Sequence, residues 1–231
     1  MNLEEYYQDY WQKRLSQNDS LGPIRDFIPD FLKRFSQYGS ILNQVPAGSK
    51  LLDLGCGQGK VSALFLRFKG CRVTGLDISQ NAVAEAKEKG INATRFDLNS
   101  DALPFDNNSF DCVTIIDVLE HVLNPIALLG EARRVLVPGG RLIVSVPNFA
   151  RWDNRFRMLL GKPQDILHWR GYGDGVEHLH WFTKSKLIDF LQKAGFEKNR
   201  FVAVGLPFDF LFGLIGLSNL ARILTSVSIK K

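Results

Sequence analysis

Three glycines at alternate positions, Gly55, Gly57 and Gly59, directly follow the apolar run at 51–54. A helical pattern begins at Val61, so this stretch predicts a buried strand, a tight turn and the start of a helix. Glycine accepts positive φ and has no side chain, so a ligand can lie on the backbone and face the N–H groups of the helix N-terminus. The pattern is typical of a site for a nucleotide-like ligand.

Two residues beside the glycines indicate which nucleotide. The dinucleotide pattern Gly-x-Gly-x-x-Gly needs a third glycine where this chain has Lys60. Asp53 precedes the turn, where a pyrophosphate would meet a like charge. S-adenosylmethionine suits the site better, because its ammonium and sulfonium tolerate a nearby carboxylate and its own carboxylate can use the helix N-terminus. An NAD-type oxidoreductase is the less favoured alternative.

A second carboxylate, Asp77, ends the next predicted strand, about 20 residues beyond the glycine turn. This is the position expected of a carboxylate that accepts hydrogen bonds from the 2′ and 3′ hydroxyls of a ribose. The structural alternative is that Asp77 only opens the turn before a helix capped by Ser79. We expect ribose binding.

The glycine turn is the first of several sequence blocks in a fixed order. DLGCGQG and GLDIS are followed by RFDLN (95–99), LPFDNNSFDCV (103–113), LEHV (119–122) and LVPGGRLIVSVPN (136–148). Together these blocks resemble the class I S-adenosylmethionine-dependent methyltransferases over roughly residues 45–205. Within that superfamily, the segment at 147–163 is similar to the MetW-like enzymes. LEHV and a late AGF block resemble the ubiquinone-biosynthesis-type small-molecule enzymes.

The resemblance implies S-adenosylmethionine as the cofactor and places its contacts at the ends of the predicted strands. Asp97 is expected to take the adenine amino group while the N–H of Leu98 meets the ring, with a turn-capping role for Asp97 as the alternative. Asp117 is expected beside the methionine part. The predicted cofactor residues are Asp53, Gly55, Gly57, Gly59, Asp77, Ile78, Asp97, Leu98, Asp117 and His121.

Three histidines are candidate general bases for an oxygen acceptor, although a carboxylate acceptor needs no base. His121 follows Asp117 by one helical turn, so the two side chains can share a face if the chain coils there. His178 and His180 alternate as they would on an extended segment. A metal site at this pair lacks an evident third ligand, so no metal is predicted.

Residues 149–182 are interpreted as a substrate cap because the segment is aromatic, basic and punctuated by glycine. Its basic side chains could meet a carboxylate, phosphate or sugar acid, and its aromatic ones could line an apolar or sugar substrate. A solvated helix face at 150–160 accounts equally well for each basic residue. The residues concerned are Arg151, Arg155, Arg157, Lys162, Arg170, Trp152, Trp169, Tyr172 and Trp181.

The predicted acceptor is a small molecule, anionic, sugar or lipid-linked, and methylated at oxygen. Nucleic acid is disfavoured for two reasons. Methylation of an exocyclic amine of a base typically uses an Asn/Asp-Pro-Pro-aromatic block after the fourth strand, which this chain lacks. Methylation of a cytosine carbon needs a cysteine nucleophile, and no cysteine follows Cys112. A non-catalytic or partner-dependent protein of the same fold is the main alternative to an enzyme.

Strand and helix patterns alternate around these residues, which predicts an α/β fold: a single-domain Rossmann-like three-layer sandwich. Its sheet is expected to be seven-stranded and mostly parallel, with an antiparallel final strand. The predicted strands are 50–54, 71–76, 92–96, 111–116, 141–146, 201–204 and 223–229. The predicted helices are 59–68, 79–89 and 124–136, with a further helix that Thr183 caps and that ends at Gly195.

We divide the single domain, 1–231, into four parts. An N-terminal helical cover (1–44, with helices at 3–17 and 23–37) precedes the cofactor-binding core (45–148). The substrate cap (149–182) and a last helix with closing strands (183–231) follow.

The bulk composition is that of a folded protein: 45% of the residues are hydrophobic and 23% are charged, so a sizeable core can form. The net charge of +5 is spread along the chain and does not indicate a nucleic-acid surface. Three cysteines without paired spacing and an acidic, polar N-terminus predict a reduced, cytoplasmic protein. The apolar segment 206–221 is expected in the core, with peripheral membrane contact as the alternative.

Overall fold

A computed structural model describes residues 37–100, 102–162, 178–202 and 218–231. The elements, in chain order, are α1 (Gln37–Leu42), β1 (Lys50–Leu54), α2 (Ser62–Lys69), β2 (Arg72–Asp77), α3 (Gln80–Glu88), β3 (Asn92–Arg95), β4 (Phe110–Ile116), α4 (Pro125–Val135), β5 (Leu136–Pro147), α5 (Trp152–Leu159), α6 (Lys184–Lys193), β6 (Asn199–Val202), a 3₁₀ turn (Ser218–Leu220) and β7 (Ile223–Ile229). The helices predicted at 3–17 and 23–37, except for residue 37, lie outside the described residues, as do 163–177 of the cap and 206–217 of the apolar segment.

The strands form one sheet in the order β3-β2-β1-β4-β5-β7-β6. Neighbouring pairs among the first five strands are parallel, whereas β7 runs antiparallel to both β5 and β6. The prediction of a mostly parallel seven-stranded sheet with an antiparallel final strand is confirmed. Strand order reverses where β1 lies between β2 and β4, which is where ligands of such sheets bind.

Alternation along the central strands explains the three layers. Successive side chains of a strand point to opposite faces, so a strand covered on both sides is apolar at consecutive positions. Leu51 packs into one buried cluster with Phe65 and Val83. Leu52 packs into a second cluster with Leu129. The sheet is therefore enclosed by apolar side chains on both faces.

The predicted start of the fifth strand, residue 141, is wrong. β5 begins at Leu136, and its pairing with β4 shifts between Phe110↔Leu136 and Cys112↔Arg141. The turn of Pro138, Gly139 and Gly140 lies inside this irregular stretch. It is held there because the N–H of Gly139 donates to Lys230 O at 2.8 Å and the N–H of Lys230 donates to Gly140 O at 3.0 Å.

Helix α2 begins at Ser62 rather than near residue 59, because the glycine turn before it is long: Gly55, Gly57 and Gly59 all have positive φ. Thr183 caps α6 as predicted, since its side chain accepts the N–H of Lys186 at 3.3 Å. Among the described residues, no helix is long and apolar enough to cross a membrane.

Candidate active site

A cavity of about 240 Å³ opens at the carboxyl ends of β1, β2 and β4. Every predicted cofactor residue except Gly59 lines it. A Cβ on Gly59 would lie 3.0 Å from Cα of Ala86, so this glycine lets the turn approach α3 closely. The cavity also has lining residues that were not predicted as cofactor contacts: Tyr38, Cys56, Gln58, Lys60, Val61, Asn99, Ile116, Val118 and Val122.

Gly55 shows why the turn needs glycine. Its φ is 76°, and a Cβ there would lie 2.3 Å from Cγ2 of Val118, far closer than two carbon atoms can approach. The N–H groups of Gly55 and Cys56 donate to Leu76 O at 2.8 and 3.0 Å. The turn is thereby attached to the end of β2, with its backbone open to the cavity.

Asp77 is the last residue of β2 and is 6% exposed. Oδ2 accepts the N–H of Gly57 at 2.8 Å, and Oδ1 accepts the N–H of Ser79 at 2.9 Å. Burial raises the pKa of Asp77, and these two N–H groups oppose the rise. A carboxylate has about four acceptor sites, so the predicted turn-opening role and a ribose contact are compatible.

Asp53 is buried within β1, one residue before the strand ends. Oδ1 accepts a hydrogen bond from the hydroxyl of Thr114 at 2.7 Å, and Oδ2 accepts one from the hydroxyl of Ser62. Burial raises the pKa of Asp53 to about 6 and outweighs both hydrogen bonds. This carboxyl therefore joins β1 to β4 and α2 and also lines the cavity. The two hydroxyl partners were not predicted.

Asp97 follows β3 in a turn. Its Oδ1 accepts the backbone N–H of Asn99 at 2.9 Å and the Asn99 side-chain amide at 3.0 Å. Oδ1 of Asn99 in turn accepts the N–H of Leu123 at 2.8 Å. The turn-capping role named as the alternative is therefore present, and Asn99 ties the β3 end of the cavity to the segment that follows β4.

Asp117 follows β4 with a φ of 53°, a left-handed conformation that a non-glycine residue seldom adopts. Its N–H donates to Ser145 O at 2.9 Å. The chain then forms a turn rather than a helix, in which the N–H of His121 donates to Val118 O at 2.9 Å. Asp117 and His121 both line the cavity without the helical turn on which their expected shared face depended.

Glu120 was not predicted as a site residue. It is 2% exposed, and its Oε1 lies 3.9 Å from Nε2 of His121, beyond hydrogen-bond distance. Its Oε2 has no hydrogen-bond partner among the described residues. Burial, and then the nearby charge of Asp117, raise the pKa of Glu120 well above its ordinary value.

The two histidines of the cap meet different neighbours. The ring of His178 lies 4.8 Å from that of His121, centre to centre, and burial lowers the pKa of His178. Nε2 of His180 instead lies 3.0 Å from Val122 O, and its ring packs near Phe182. Candidate ligand atoms of Glu120, His121 and His178 all lie within 4.8 Å of one another. The alternation in the sequence had instead predicted that His178 and His180 share a face.

Two basic residues of the described part of the cap have local partners. Nε of Arg151 lies 2.9 Å from Oδ1 of Asp153, and Nε of Arg155 donates to Ala150 O at 2.6 Å. These contacts favour a structural role for both arginines. Trp169, Arg170 and Tyr172 lie outside the described residues.

The cavity is lined by more acidic than basic side chains. Four aspartates, Asp53, Asp77, Asp97 and Asp117, face it together with Lys60. Carboxylates of one sign in a cleft raise the local concentration of cations. The site therefore favours a ligand that carries positive charge over one that carries a pyrophosphate.

A family model described as a methyltransferase domain matches residues 22–199, well over half of the chain. Among curated proteins, a ubiquinone biosynthesis O-methyltransferase of Cereibacter sphaeroides is 31% identical over 154 residues, which are 65% of this chain and 61% of that protein. One of Xanthomonas axonopodis is 36% identical over 158 residues, 66% of this chain and 64% of its own. The chain therefore spans less than two thirds of the length of these relatives.

Solved structures share the fold at low identity. A SAM-dependent methyltransferase of Thermotoga maritima has a TM-score of 0.64 at 18% identity and covers 96% of this chain and 99% of its own. Phosphoethanolamine N-methyltransferase 2 of Haemonchus contortus, in complex with S-adenosyl-L-methionine, has a TM-score of 0.56 at 16% identity and covers 87% of this chain and 59% of its own.

Proposed function

Since this chain belongs to the family of methyltransferase domains, we propose that it transfers a methyl group from S-adenosylmethionine to an oxygen atom of a small molecule. Asp77 is the observation that carries the proposal. It ends β2 at the mouth of the cavity, its carboxylate is fixed by the N–H groups of Gly57 and Ser79, and it keeps acceptor sites for the two ribose hydroxyls.

The other lining residues support one orientation of the cofactor. The adenine end lies toward Asp97 and Leu98, and the methionine end lies toward the glycine turn and Asp117. The sulfonium and ammonium groups then lie among carboxylates, and the ligand carboxylate lies toward the N-terminus of α2, where Lys60 and Val61 line the cavity. An NAD-type oxidoreductase is disfavoured because Asp53 and the other aspartates would oppose a pyrophosphate.

Methyl transfer itself is a simple displacement. The acceptor oxygen bonds to the methyl carbon as the bond from sulfur to carbon breaks, which leaves S-adenosylhomocysteine. The hydroxyl proton passes to a base or to water. Because the sulfonium is already activated, positioning supplies much of the acceleration. The candidate bases are His121 and His178. His121 lines the cavity, and the ring of His178 packs against the ring of His121.

Oxygen is the proposed acceptor atom because the relatives from Cereibacter and Xanthomonas are named as O-methyltransferases. An anionic, sugar or lipid-linked acceptor and a cytoplasmic location stay predictions from the sequence. A non-catalytic or partner-dependent role is the second candidate, favoured by the resemblance of the segment at 147–163 to the MetW-like proteins.

The proposal is tested by methyl transfer from labelled S-adenosylmethionine to a panel of small hydroxylated aromatics, sugars and hydroxy acids. We expect labelled product and an equal amount of S-adenosylhomocysteine with at least one acceptor, and neither with Asp77→Ala. Tight cofactor binding without transfer to any acceptor would favour the non-catalytic role.

A further inference from the structure

We propose that Glu120, His121 and His178 bind a divalent transition-metal ion at the edge of the cofactor cavity. Two imidazoles and one carboxylate form the donor set, and their candidate ligand atoms lie within 4.8 Å of one another. Atoms bound to one tetrahedral zinc ion lie about 3.3 Å apart, given bonds of about 2.0–2.1 Å. Small side-chain rotations therefore suffice to close the set around an ion.

The Glu120 carboxylate is the independent indication of a ligand. It is 2% exposed, and its Oε2 has no hydrogen-bond partner among the described residues, although buried polar atoms in proteins are nearly always paired. Nε2 of His121 lies 3.9 Å from its Oε1, which is too distant for a hydrogen bond. A metal ion between these groups would satisfy the carboxylate.

The backbone already holds the two ligand-bearing segments together. The N–H groups of Leu179 and His180 both donate to Glu120 O, at 2.9 and 3.1 Å. These two bonds fix the cap segment that carries His178 against the turn that carries Glu120 and His121. The ligands are thus brought together by main-chain contacts that do not depend on an ion, as expected of a prearranged site.

The donor set indicates the kind of ion. Imidazole nitrogen with carboxylate oxygen suits Zn²⁺, Fe²⁺, Co²⁺ and Mn²⁺, whereas Mg²⁺ and Ca²⁺ prefer oxygen alone. Three protein ligands leave a coordination position open, as in catalytic zinc sites. Since His121 also lines the cavity, an acceptor oxygen can take that position. This role toward the acceptor rests on the function proposed above, whereas metal binding itself does not. With the ion bound, His121 and His178 are ligands rather than bases, and the acceptor proton passes to water.

The test uses the full chain after removal of metals with a chelator. Co²⁺ is titrated and followed by its visible absorption, which reports coordination by nitrogen and oxygen, and Zn²⁺ is then added in competition. We expect one ion per chain, with an affinity at least about 10-fold lower in His178→Ala and in Glu120→Gln. His180→Asn is the matched control, because the His180 ring faces Val122 O, and it should bind within about twofold of the wild type.

Titration with S-adenosylhomocysteine on the same samples separates the two proposals. Both variants should keep the wild-type affinity for it, since the proposed cofactor contacts at Asp77 are unchanged. Absence of Co²⁺ and Zn²⁺ binding in a chain that binds S-adenosylhomocysteine would overturn the metal site alone. Equal metal affinity in the wild type, His178→Ala and Glu120→Gln would overturn it too. A wild-type chain that binds the metal ion but does not bind S-adenosylhomocysteine would overturn only the proposed function.

Discussion

The two ends of the cavity differ in how completely their carboxylates are partnered. At the end formed by β1 and β2, both oxygens of Asp53 and both oxygens of Asp77 accept hydrogen bonds within the protein. Beside the end that follows β4, Glu120 does not line the cavity but is equally buried, and one of its oxygens has no hydrogen-bond partner in the described part of the chain.

This difference indicates two kinds of site. The first end is complete without a ligand, so a ligand adds its own hydrogen bonds to a structure that is already fixed. Beside the second end lies a buried acidic group, Glu120, whose unpaired oxygen a bound metal ion would satisfy. A site whose hydrogen bonds are already formed suits a cofactor that is the same in every reaction cycle. The ligand set of Glu120, His121 and His178 suits a metal ion that binds together with the acceptor.

The largest expected effect comes from removing the carboxylate of the complete end. Asp77→Ala should weaken binding of S-adenosylhomocysteine by at least about 100-fold, because hydrogen bonds to a charged group contribute about 1.5–3 kcal/mol each. Calorimetric titration measures this loss. Asp189→Ala, on the exposed face of α6, is the matched control and should bind normally. An affinity within about threefold of the wild type would mean that Asp77 does not hold the ribose.

Adding a methyl group to the glycine turn should have the next largest effect. Gly55→Ala combines a positive φ with a clash against Val118, so we expect a loss of about 3 kcal/mol in the free energy of unfolding. Gly48→Ala isolates the backbone part, because Gly48 has a φ of 72° and nothing within 4 Å of the added Cβ. It should cost about 1 kcal/mol. Urea denaturation compares the two, and equal losses would contradict the packing account.

The raised pKa of Asp53 leads to a prediction about pH. Its pKa is about 6 in the folded protein and 3.8 in the unfolded chain, so folding takes up a proton between these values. The stability contributed by this group is therefore present below about pH 4 and lost as the pH rises through about 6, by an amount on the order of 3 kcal/mol. Asp53→Asn should remove this dependence.

Urea denaturation at several pH values gives the difference in unfolding free energy between Asp53→Asn and the wild type. That difference should shift in favour of the variant as the pH rises from about 4 to about 7.5. Burial of the other carboxyls cancels in this comparison. A difference that stays constant with pH would show that the pKa of Asp53 is the same in the folded and unfolded states.

The smallest expected effect concerns Asn99, which joins the turn after β3 to the segment that follows β4. Asn99→Ala removes the acceptor for the N–H of Leu123 and should lower the unfolding free energy by about 1 kcal/mol. Because the bond is exposed, S-adenosylhomocysteine affinity should fall only a few-fold. Thermal unfolding and calorimetry measure the two effects. A loss of cofactor binding as large as that of Asp77→Ala would mean that the two ends are not separate.

Residues that line both ends of the cavity could be predicted from the sequence, whereas the cluster of Glu120, His121 and His178 could not, for a physical reason. The positions of Asp77 and the glycines can be predicted from adjacent residues, because local sequence determines where a strand ends and where a turn needs glycine. Asp53 was found too, but its partner Thr114 is 61 residues away and comes into contact only when β4 pairs with β1.

The cluster after β4 depends on contacts that spacing does not encode. His178 contacts His121 because backbone hydrogen bonds join Leu179 and His180 to Glu120. A contact between two loops that are distant in sequence leaves no periodic pattern from which it could be predicted. Glu120 itself lay within the recognised LEHV block. Its burial, rather than its residue type, marks it as chemically unusual, and burial at a loop position follows from tertiary packing.

Calorimetric titration of the full chain with S-adenosylmethionine and S-adenosylhomocysteine tests the central claim most directly. We expect each ligand to bind at one site per chain, with dissociation constants on the order of micromolar. We also expect that NADH does not bind. A folded sample that binds neither sulfur ligand, or that binds NADH in their place, would contradict the assignment of this cavity to S-adenosylmethionine.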